Sequence, residues 1–200
     1  MFPHAIYFIR HGETDWNAEG RLQGQKDIPL NDLGRVQATK AGLILKALHP
    51  HPEDMDWWVS PLSRTRETAE RVRTAIGLNP TSYKTDDGLK ELTFGRWEGM
   101  TWKEVRRTEP AGASRRERDK WGAVPPEGES YAMLSERVQH FLPSLRGDSV
   151  LVSHGGVARV LMALIGGHAP SRAAAEDIWQ GRVLVFRDGA CRWVASHKSD

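Results

Sequence analysis

The 200-residue sequence contains a single cysteine, Cys191, so it has no second thiol for an intrachain disulfide. It also lacks a long apolar run, and the apolar stretch within residues 1–10 is too short for a membrane span or a secretory leader. These two shortages predict a protein of the reducing cytoplasm that has no membrane partner.

The sequence also lacks a large excess of charge of one sign, since its 28 Lys and Arg residues and 26 Asp and Glu residues give a formal net charge of +2. So small an excess does not favour coating of nucleic acid, and we predict no nucleic-acid partner. With 39% hydrophobic and 27% charged residues, the composition is that of a globular domain. No repeat or Gly/Ser linker divides the chain, so we predict one domain over 1–200 with a lid-like excursion at about 100–130.

Apolar runs of strand length alternate with segments of helical periodicity. Strands are predicted at 5–9, 57–59, 81–85 and 150–152, helices at 31–48, 62–76, 101–108, 130–145 and 157–165, and a closing hairpin at 183–186 and 192–195. This alternation predicts an α/β three-layer sandwich, with a mostly parallel central sheet flanked by helices. Sites in such sheets lie at the carboxyl ends of the strands.

Cationic or imidazole side chains follow three of the predicted strands. The first strand is followed by Arg10 and His11, the second by Arg64, and the fourth by His154 and Gly155. If these strands are neighbours, two guanidiniums and two imidazoles meet in one pocket that suits a dianion such as a phosphoryl group. Gly155 opens a predicted helix, whose free amides would also attract an anion.

Phosphoryl transfer at this pocket would need a nucleophile and an acid. A neutral imidazole suits the attack on phosphorus, and both His11 and His154 qualify. We choose Glu91 as the acid that protonates the leaving oxygen, while Glu98 and Glu104 lie close in sequence and could serve instead. The chain offers no dense carboxylate cluster of the kind that magnesium needs, so we predict no metal and no cofactor.

The order of these motifs resembles the histidine phosphatase superfamily, which is also called phosphoglycerate mutase-like. The matching residues run through nearly the whole chain: Arg10, His11, Gly12, Glu13, Thr14 and Asn17; Ser60, Pro61, Arg64, Thr68 and Ala69; Glu91, Gly95, Glu98 and Gly99; and Ser153, His154 and Gly155.

The resemblance assigns roles that the residues alone left open. It implies that His11 is the nucleophile that becomes phosphohistidine, and that Glu91 donates the proton. It further implies that Arg10, Arg64 and His154 hold the phosphoryl group. By the same resemblance, the phosphate or the substrate is contacted by Asn17, Gln23 and Gly24.

Departures from the glycolytic mutases of this family favour a phosphatase. Phe94, Trp102 and Gly156 stand where those mutases have Tyr, Lys and Asn, and the insertion after the acid is short. The segment 95–99 (GRWEG) resembles the phosphatase branch. We therefore expect a metal-independent phosphomonoesterase that acts on a small phosphorylated metabolite. The alternatives are a phosphoglycerate mutase and a non-catalytic protein that binds phosphorylated ligands, and a homodimer is left open.

The remaining histidines, aromatic residues and cations have ordinary structural interpretations. His4, His49, His51, His140, His168 and His197 show no metal-ligand spacing with Cys191, so we assign them to the surface or the framework. Trp97, Trp102 and Trp121 belong to the core or to the wall of an apolar substrate pocket. The cations at 106, 107, 115, 116, 118 and 120 alternate with acids, which indicates a solvated helical lid, and one arginine gripping an anionic substrate is the alternative.

Overall fold

A six-stranded sheet forms the centre of the computed structural model, which describes residues 2–195. The strands are β1 (Ile6–Arg10), β2 (Asp56–Val59), β3 (Lys84–Thr85), β4 (Ser149–Ser153), β5 (Val183–Arg187) and β6 (Ala190–Val194). Their order is β3-β2-β4-β1-β5-β6, in which the first four are parallel and β5 and β6 form an antiparallel edge. The predicted α/β fold with a mostly parallel sheet is confirmed.

The described residues form eight α-helices. They are α1 (Asp15–Ala18), α2 (Asp32–Leu48), α3 (Ser63–Ala75), α4 (Trp102–Thr108), α5 (Pro110–Arg118), α6 (Tyr131–Phe141), α7 (Gly155–Leu164) and α8 (Pro170–Ala175). Within residues 2–195, none of these helices is long and apolar enough to cross a membrane.

The central strands are apolar throughout because both of their faces are buried. In β1, Ile6 and Phe8 pack towards α6, α7 and α8, whereas Tyr7 and Ile9 pack towards α2 and α3. Side chains of a strand alternate between the faces, so a strand covered on both sides needs no polar position. The sheet is therefore the middle layer of a three-layer sandwich.

Proline positions account for two differences from the predicted helices. Pro110 ends α4 as expected, but it also opens a second helix, α5, in the stretch that the sequence indicated only as a helical lid without bounds of its own. Proline suits a first helical position because its φ is preset and its missing N–H has no partner there. In the same way Pro143 limits α6, which ends at Phe141 and continues only as a 3-10 turn at Leu142–Ser144.

Smaller differences lie at the sheet edges. The strand predicted at 81–85 is reduced to the two residues of β3, and β6 spans Ala190–Val194 where 192–195 was predicted.

The excursion near 100–130 contains α4 and α5 over a small separate core of Trp97, Val105 and Ala113. His197 lies outside the described residues.

The loop after β1 and the start of α2 approach each other at two glycines. A Cβ built on Gly34 would lie 2.1 Å from the carbonyl oxygen of Glu13, and one built on Gly12 would lie 2.2 Å from the carbonyl oxygen of Gly34. Backbone atoms on both sides leave no room for a side chain. The contact fixes the loop that leads away from His11.

We predict that Gly34→Ala lowers the free energy of unfolding by about 1–3 kcal/mol, because the added methyl group overpacks this backbone contact. For a domain of this size that corresponds to a fall in Tm of roughly 2–4 °C per kcal/mol. Gly147→Ala is the matched control, since no atom lies within 4 Å of a Cβ at that position. Thermal unfolding followed by circular dichroism measures both, and equal Tm values would contradict the packing argument.

Candidate active site

The carboxyl ends of neighbouring strands bring together two imidazoles. Strands β1 and β4 pair directly, with Arg10 opposite Ser153, and His11 and His154 are the next residues on each. Their ring centroids lie 5.2 Å apart, and both residues are buried. The predicted meeting of the two histidines at one edge of the sheet is therefore observed.

His11 is held in one tautomer by the main chain. Its Nδ1 lies 2.7 Å from the carbonyl oxygen of Gly12. A carbonyl oxygen only accepts, so Nδ1 carries the proton and Nε2 carries the lone pair. Burial, followed by the charges of Arg64 and Arg10, holds the pKa of His11 well below its ordinary value of 6.5, against the raising effect of the Gly12 bond. The imidazole is consequently neutral, with Nε2 ready as a nucleophile.

His154 is also buried and neutral. Burial lowers its pKa well below 6.5, as do the charges of Arg64, His11, Arg10 and Arg137. Its Nε2 lies 2.7 Å from Oγ of Ser60, and its buried Nδ1 has no hydrogen-bond partner among the described residues. A Ser60 hydroxyl that donates to Nε2 would leave Nδ1 protonated, so that it could donate to an anion.

Two arginines complete the cluster, each held by main-chain carbonyl groups. Arg10 Nη1 donates to the oxygen of Ile178 at 2.8 Å. Arg64, in the first turn of α3, donates from Nη1 to Lys26 at 2.7 Å and from Nη2 to Gly24 at 2.8 Å. Burial lowers the pKa of both guanidiniums, that of Arg10 to about 10. These bonds fix the arginines without consuming their charge.

Three buried nitrogen atoms of this cluster lack a partner among residues 2–195. They are Nε of Arg10, Nε of Arg64 and Nδ1 of His154. A buried donor without an acceptor costs about 1–3 kcal/mol, so a folded protein rarely keeps several in one place. Donors of this kind around a neutral imidazole suit the acceptor oxygens of a phosphoryl group.

Glu91 lies against the start of α7. Its Oε1 and Oε2 accept a hydrogen bond from the amide of Gly156 at 3.1 and 3.0 Å, and Oε1 also accepts one from the amide of Leu92 at 3.0 Å. A Cβ at position 156 would lie only 2.1 Å from Oε1. A side chain at position 156 would therefore displace the end of Glu91 from this place, a role of glycine that the sequence did not reveal.

The other two candidate acids are engaged in local structure. Glu98 Oε1 accepts hydrogen bonds from Gln25 N, Thr93 Oγ1 and Phe94 N. Glu104 forms a capping box with Thr101 at the start of α4. Both carboxylates hold loops in place, so Glu91 remains the candidate acid.

The four predicted substrate-binding residues differ in their surroundings. Asn17 accepts hydrogen bonds through Oδ1 from Thr14 N and Gln180 Nε2, so this oxygen is used in structure. Gln23 is buried and its Oε1 has no partner among the described residues. The carbonyl oxygen of Gly24 accepts a hydrogen bond from Arg64. Gly155 lies next to Arg10, since a Cβ built on it would lie 3.8 Å from Arg10 Nε.

A second cavity of about 360 Å³ extends beside this cluster and carries three further cations. Its walls are Leu22, Phe94, Trp102, Arg116, Glu117, Lys120, Tyr131 and Arg159. A Cβ at Gly155 would lie 3.4 Å from Arg159 Nη1 as well as 3.8 Å from Arg10 Nε, so Gly155 lies beside both the cavity and the histidine cluster.

The interpretation of residue 116 as part of a solvated lid is wrong. Arg116 is only 5% exposed, and its guanidinium lies 5.3 and 5.5 Å from the ring centroids of Phe94 and Tyr131. Its buried Nη1 has no partner in the described part of the chain. Lys120 lines the same cavity. Partial burial of its amino group, followed by the charges of Arg159 and Arg116, lowers its pKa to about 8. The alternation of acids and cations around this position is typical of an exposed helix, so it did not predict that Arg116 is buried.

The three tryptophans considered for a pocket wall occupy three different places in the structure. Trp102 lines the cavity, Trp97 is buried in the small core beneath α4 and α5, and Trp121 stacks on Tyr131 with the ring centroids 5.7 Å apart.

Over residues 2–195, no three His, Cys, Asp or Glu side chains cluster closely enough to hold a metal ion.

Comparisons with known proteins agree with this geometry. Residues 6–199 match the family model of the histidine phosphatase superfamily, branch 1. The chain is 33% identical over 193 residues to phosphoglycerate mutase-like protein 4 of Arabidopsis thaliana, covering 91% of this chain and 78% of that protein. It is 33% identical over 163 residues to 6-phosphofructo-2-kinase/fructose-2,6-bisphosphatase 3 of Rattus norvegicus, covering 80% of this chain but 27% of that one.

A solved structure resembles the chain along nearly its whole length. It is a mycobacterial glucosyl-3-phosphoglycerate phosphatase, with a TM-score of 0.80 and 27% identity, and the match covers 96% of this chain and 97% of the other. The relatives thus include proteins named as mutases and proteins named as phosphatases.

The two neutral imidazoles predict a loss of stability at mildly acidic pH. Their pKa values are lowered in the folded state, so the unfolded chain binds more protons as the pH falls below about 6.5. The free energy of unfolding should therefore fall with pH below that value, by up to about 1.4 kcal/mol per pH unit for each imidazole. Urea unfolding at several pH values between about 7.5 and 5.5 measures this slope.

His11→Asn should remove up to one proton from that slope. A wild-type stability that does not change between about pH 7.5 and 5.5 would contradict the neutral state of the two buried rings.

Proposed function

Because the chain belongs to the histidine phosphatase superfamily, we propose that it hydrolyses phosphomonoesters through a phosphohistidine on His11, without a metal ion. The observation that carries the proposal is the set of three unpartnered buried donors, on Arg10, Arg64 and His154, around a neutral His11 whose Nε2 is free of its proton. These donors would hold the phosphoryl oxygens and stabilise the charge that develops on them.

The reaction has two steps in this proposal. Nε2 of His11 forms a bond to phosphorus while the bond to the ester oxygen breaks, and Glu91 gives its proton to the leaving alkoxide. In the second step the Glu91 carboxylate takes a proton from a water molecule that attacks the phosphohistidine. The N–P bond breaks, inorganic phosphate leaves, and His11 and Glu91 return to their first states.

Hydrolysis rather than mutase transfer is supported by the position of Glu91. Its place against α7 leaves no room for a Cβ at position 156, where the glycolytic mutases of the family carry asparagine, so the carboxylate would have to lie differently with that residue. Phe94 and Trp102 give the neighbouring cavity apolar walls where those mutases have tyrosine and lysine. A mutase remains the second candidate, because relatives such as the Arabidopsis protein are named as phosphoglycerate mutase-like. The cytoplasmic location and a homodimer stay predictions of the sequence.

The second cavity supports a substrate with a further anionic group. Arg116, Lys120 and Arg159 surround a space walled by aromatic rings, and the side chain of Arg116 is almost completely buried. Two of the relatives are named for substrates of this kind, a fructose bisphosphate and a phosphoglycerate derivative with a carboxylate. We therefore propose that the preferred substrate carries a second phosphate or a carboxylate away from the reacting phosphate.

Trapping the covalent intermediate tests the nucleophile. Incubation with a ³²P-labelled phosphomonoester and a quench in alkali should leave acid-labile label on His11, and product analysis should find free phosphate rather than label on another hydroxyl. His11→Ala should lose the label and lower kcat by more than about a thousandfold, because the covalent route is closed. Hydrolysis that persists in His11→Ala would overturn the mechanism, and activity lost on treatment with EDTA would overturn the metal-independent step.

A matched pair of substrates tests the second cavity. Arg116→Gln should lower kcat/KM for 4-carboxyphenyl phosphate by about 10–100-fold, since a hydrogen bond to a charged group contributes about 1.5–3 kcal/mol. The same variant should change phenyl phosphate hydrolysis by less than about threefold, because phenyl phosphate has no second anion to lose. Arg115→Gln, an exposed neighbour, is the control and should leave both unchanged. Equal losses on the two esters would contradict a second anion site.

A further inference from the structure

The segment that carries Glu91 has little regular structure of its own. After β3 ends at Thr85, the chain makes one 3-10 turn at Asp87–Leu89 and then runs without a helix or strand to residue 94. A carboxyl group that must reach a leaving oxygen needs a fixed position, because small displacements lower the rate strongly. The rigidity of this segment must therefore come from other parts of the fold.

One side chain from α6 binds this segment at four carbonyl groups. Arg137 Nη1 donates to the oxygens of Asp87, Gly88 and Lys90 at 3.1, 2.9 and 2.9 Å. Its Nη2 lies 3.4 Å from the oxygen of Glu91 itself. A planar guanidinium presents several donors in fixed directions, which lets one residue hold successive turns of a loop.

Glu129 fixes the guanidinium and the far end of the same segment. Its Oε2 accepts hydrogen bonds from Arg137 Nη2 at 3.1 Å and from the amide of Thr93 at 3.1 Å. Its own amide donates to the oxygen of Thr93 at 2.8 Å. The Arg137 and Glu129 side chains are only 24% and 20% exposed, so this ion pair is well shielded from water.

Two further contacts hold the segment from the side of the active site. Ser153 Oγ, at the end of β4, donates to the oxygen of Leu89 at 2.7 Å, and Gln25 Nε2 donates to the oxygen of Glu91 at 3.0 Å. Each of these contacts holds a single carbonyl group, whereas Arg137 reaches four. Arg137 is thus the largest single restraint in this set.

We propose that Arg137 is a positioning residue for the proton donor, and that it sets where the Glu91 carboxyl group lies by bridging the carbonyl groups of residues 87–91. The inference rests on the proposed function, in which Glu91 protonates the leaving oxygen. Arg137 acts through the main chain of this segment and takes no part in the chemistry itself.

Leaving groups of different basicity separate this role from a general loss of structure. An alkyl ester such as glycerol 3-phosphate needs a proton on its leaving oxygen, whereas p-nitrophenolate leaves without one. In the first step, Arg137→Gln should therefore lower the single-turnover rate of phosphohistidine formation by about 10–100-fold with glycerol 3-phosphate and by less than about threefold with p-nitrophenyl phosphate. The hydrolysis of the phosphohistidine, in which Glu91 acts as the base, is common to both esters and does not enter this single-turnover rate. Arg137→Lys keeps the charge but cannot bridge four carbonyl groups, so it should lose most of the same activity.

A double-mutant cycle with Glu91→Gln gives the second readout. Once the acid is absent, its position no longer matters, so adding Arg137→Gln to Glu91→Gln should change the remaining activity by less than about twofold. Arg146→Gln, an exposed arginine shortly after α6, is the matched control and should leave both esters unaffected. Equal losses in the single-turnover phosphorylation rate with the two esters, or losses that add in the cycle, would overturn the inference.

Amide hydrogen exchange tests the proposed role of Arg137 without relying on an activity measurement. In Arg137→Lys, the amides of residues 87–93 should exchange faster, while those of 102–118 in the lid should not change. Unchanged exchange at 87–93 would also overturn the inference. A failure of the proposed function looks different, because the wild-type protein would then show no hydrolysis that depends on His11.

Discussion

Burial of positive charge at the carboxyl edge of the sheet is the constraint on which the site depends. Arg10 and Arg64 lie beside His11 and His154 in surroundings that lower the pKa of all four groups. Removing such charges from water is costly unless they are hydrogen-bonded. Main-chain carbonyl groups supply that bonding at residues 24, 26 and 178, so the charge is held in place and stays available for an anion.

The same charges determine the chemistry of the histidines. Because burial, and after it the two nearby guanidiniums, disfavours a positive charge on either ring, both rings stay neutral, and the Gly12 carbonyl group then decides which nitrogen of His11 is nucleophilic. A phosphoryl dianion would reverse this effect for the arginines by supplying negative charge beside them. In the proposed reaction, substrate binding and nucleophile activation would thus follow from one electrostatic arrangement.

Parts of this arrangement could be predicted from the sequence, and the reasons are physical. The apolar runs of β1 and β4 end abruptly at Arg10 and Ser153, and strands buried on both faces must end where polar side chains begin, so the histidine cluster could be located. The burial of Arg116 could not be predicted, because a cation between two rings has the same sequence pattern as a cation in water. Arg137 was missed for a related reason, since its partners are carbonyl groups, which every residue has.

The histidine cluster and the second cavity share helix α7 but differ in their other elements. The cluster lies on strand ends and on the first turns of α3 and α7, and α7 also carries Arg159 of the cavity, whereas Arg116 comes from α5 in the excursion that packs over its own small core. Changes in that excursion can alter the second cavity without moving His11. Relatives that differ in substrate while sharing this fold are consistent with such a division.

The hydrogen bonds of Glu91 indicate which of its oxygens would carry the proton. Oε1 accepts from two amides, those of Leu92 and Gly156, whereas Oε2 shares only the Gly156 amide. An oxygen with both lone pairs engaged cannot also hold a proton, so Oε2 is the one able to donate. The contacts of Oε1 then serve to aim the carboxyl group. Glycine at position 156, the start of α7 and the contacts of Arg137 with the carbonyl groups of residues 87, 88, 90 and 91 therefore all bear on the place of this carboxyl group. In the proposed reaction, its place relative to Nε2 of His11 would determine whether proton transfer keeps pace with attack on phosphorus.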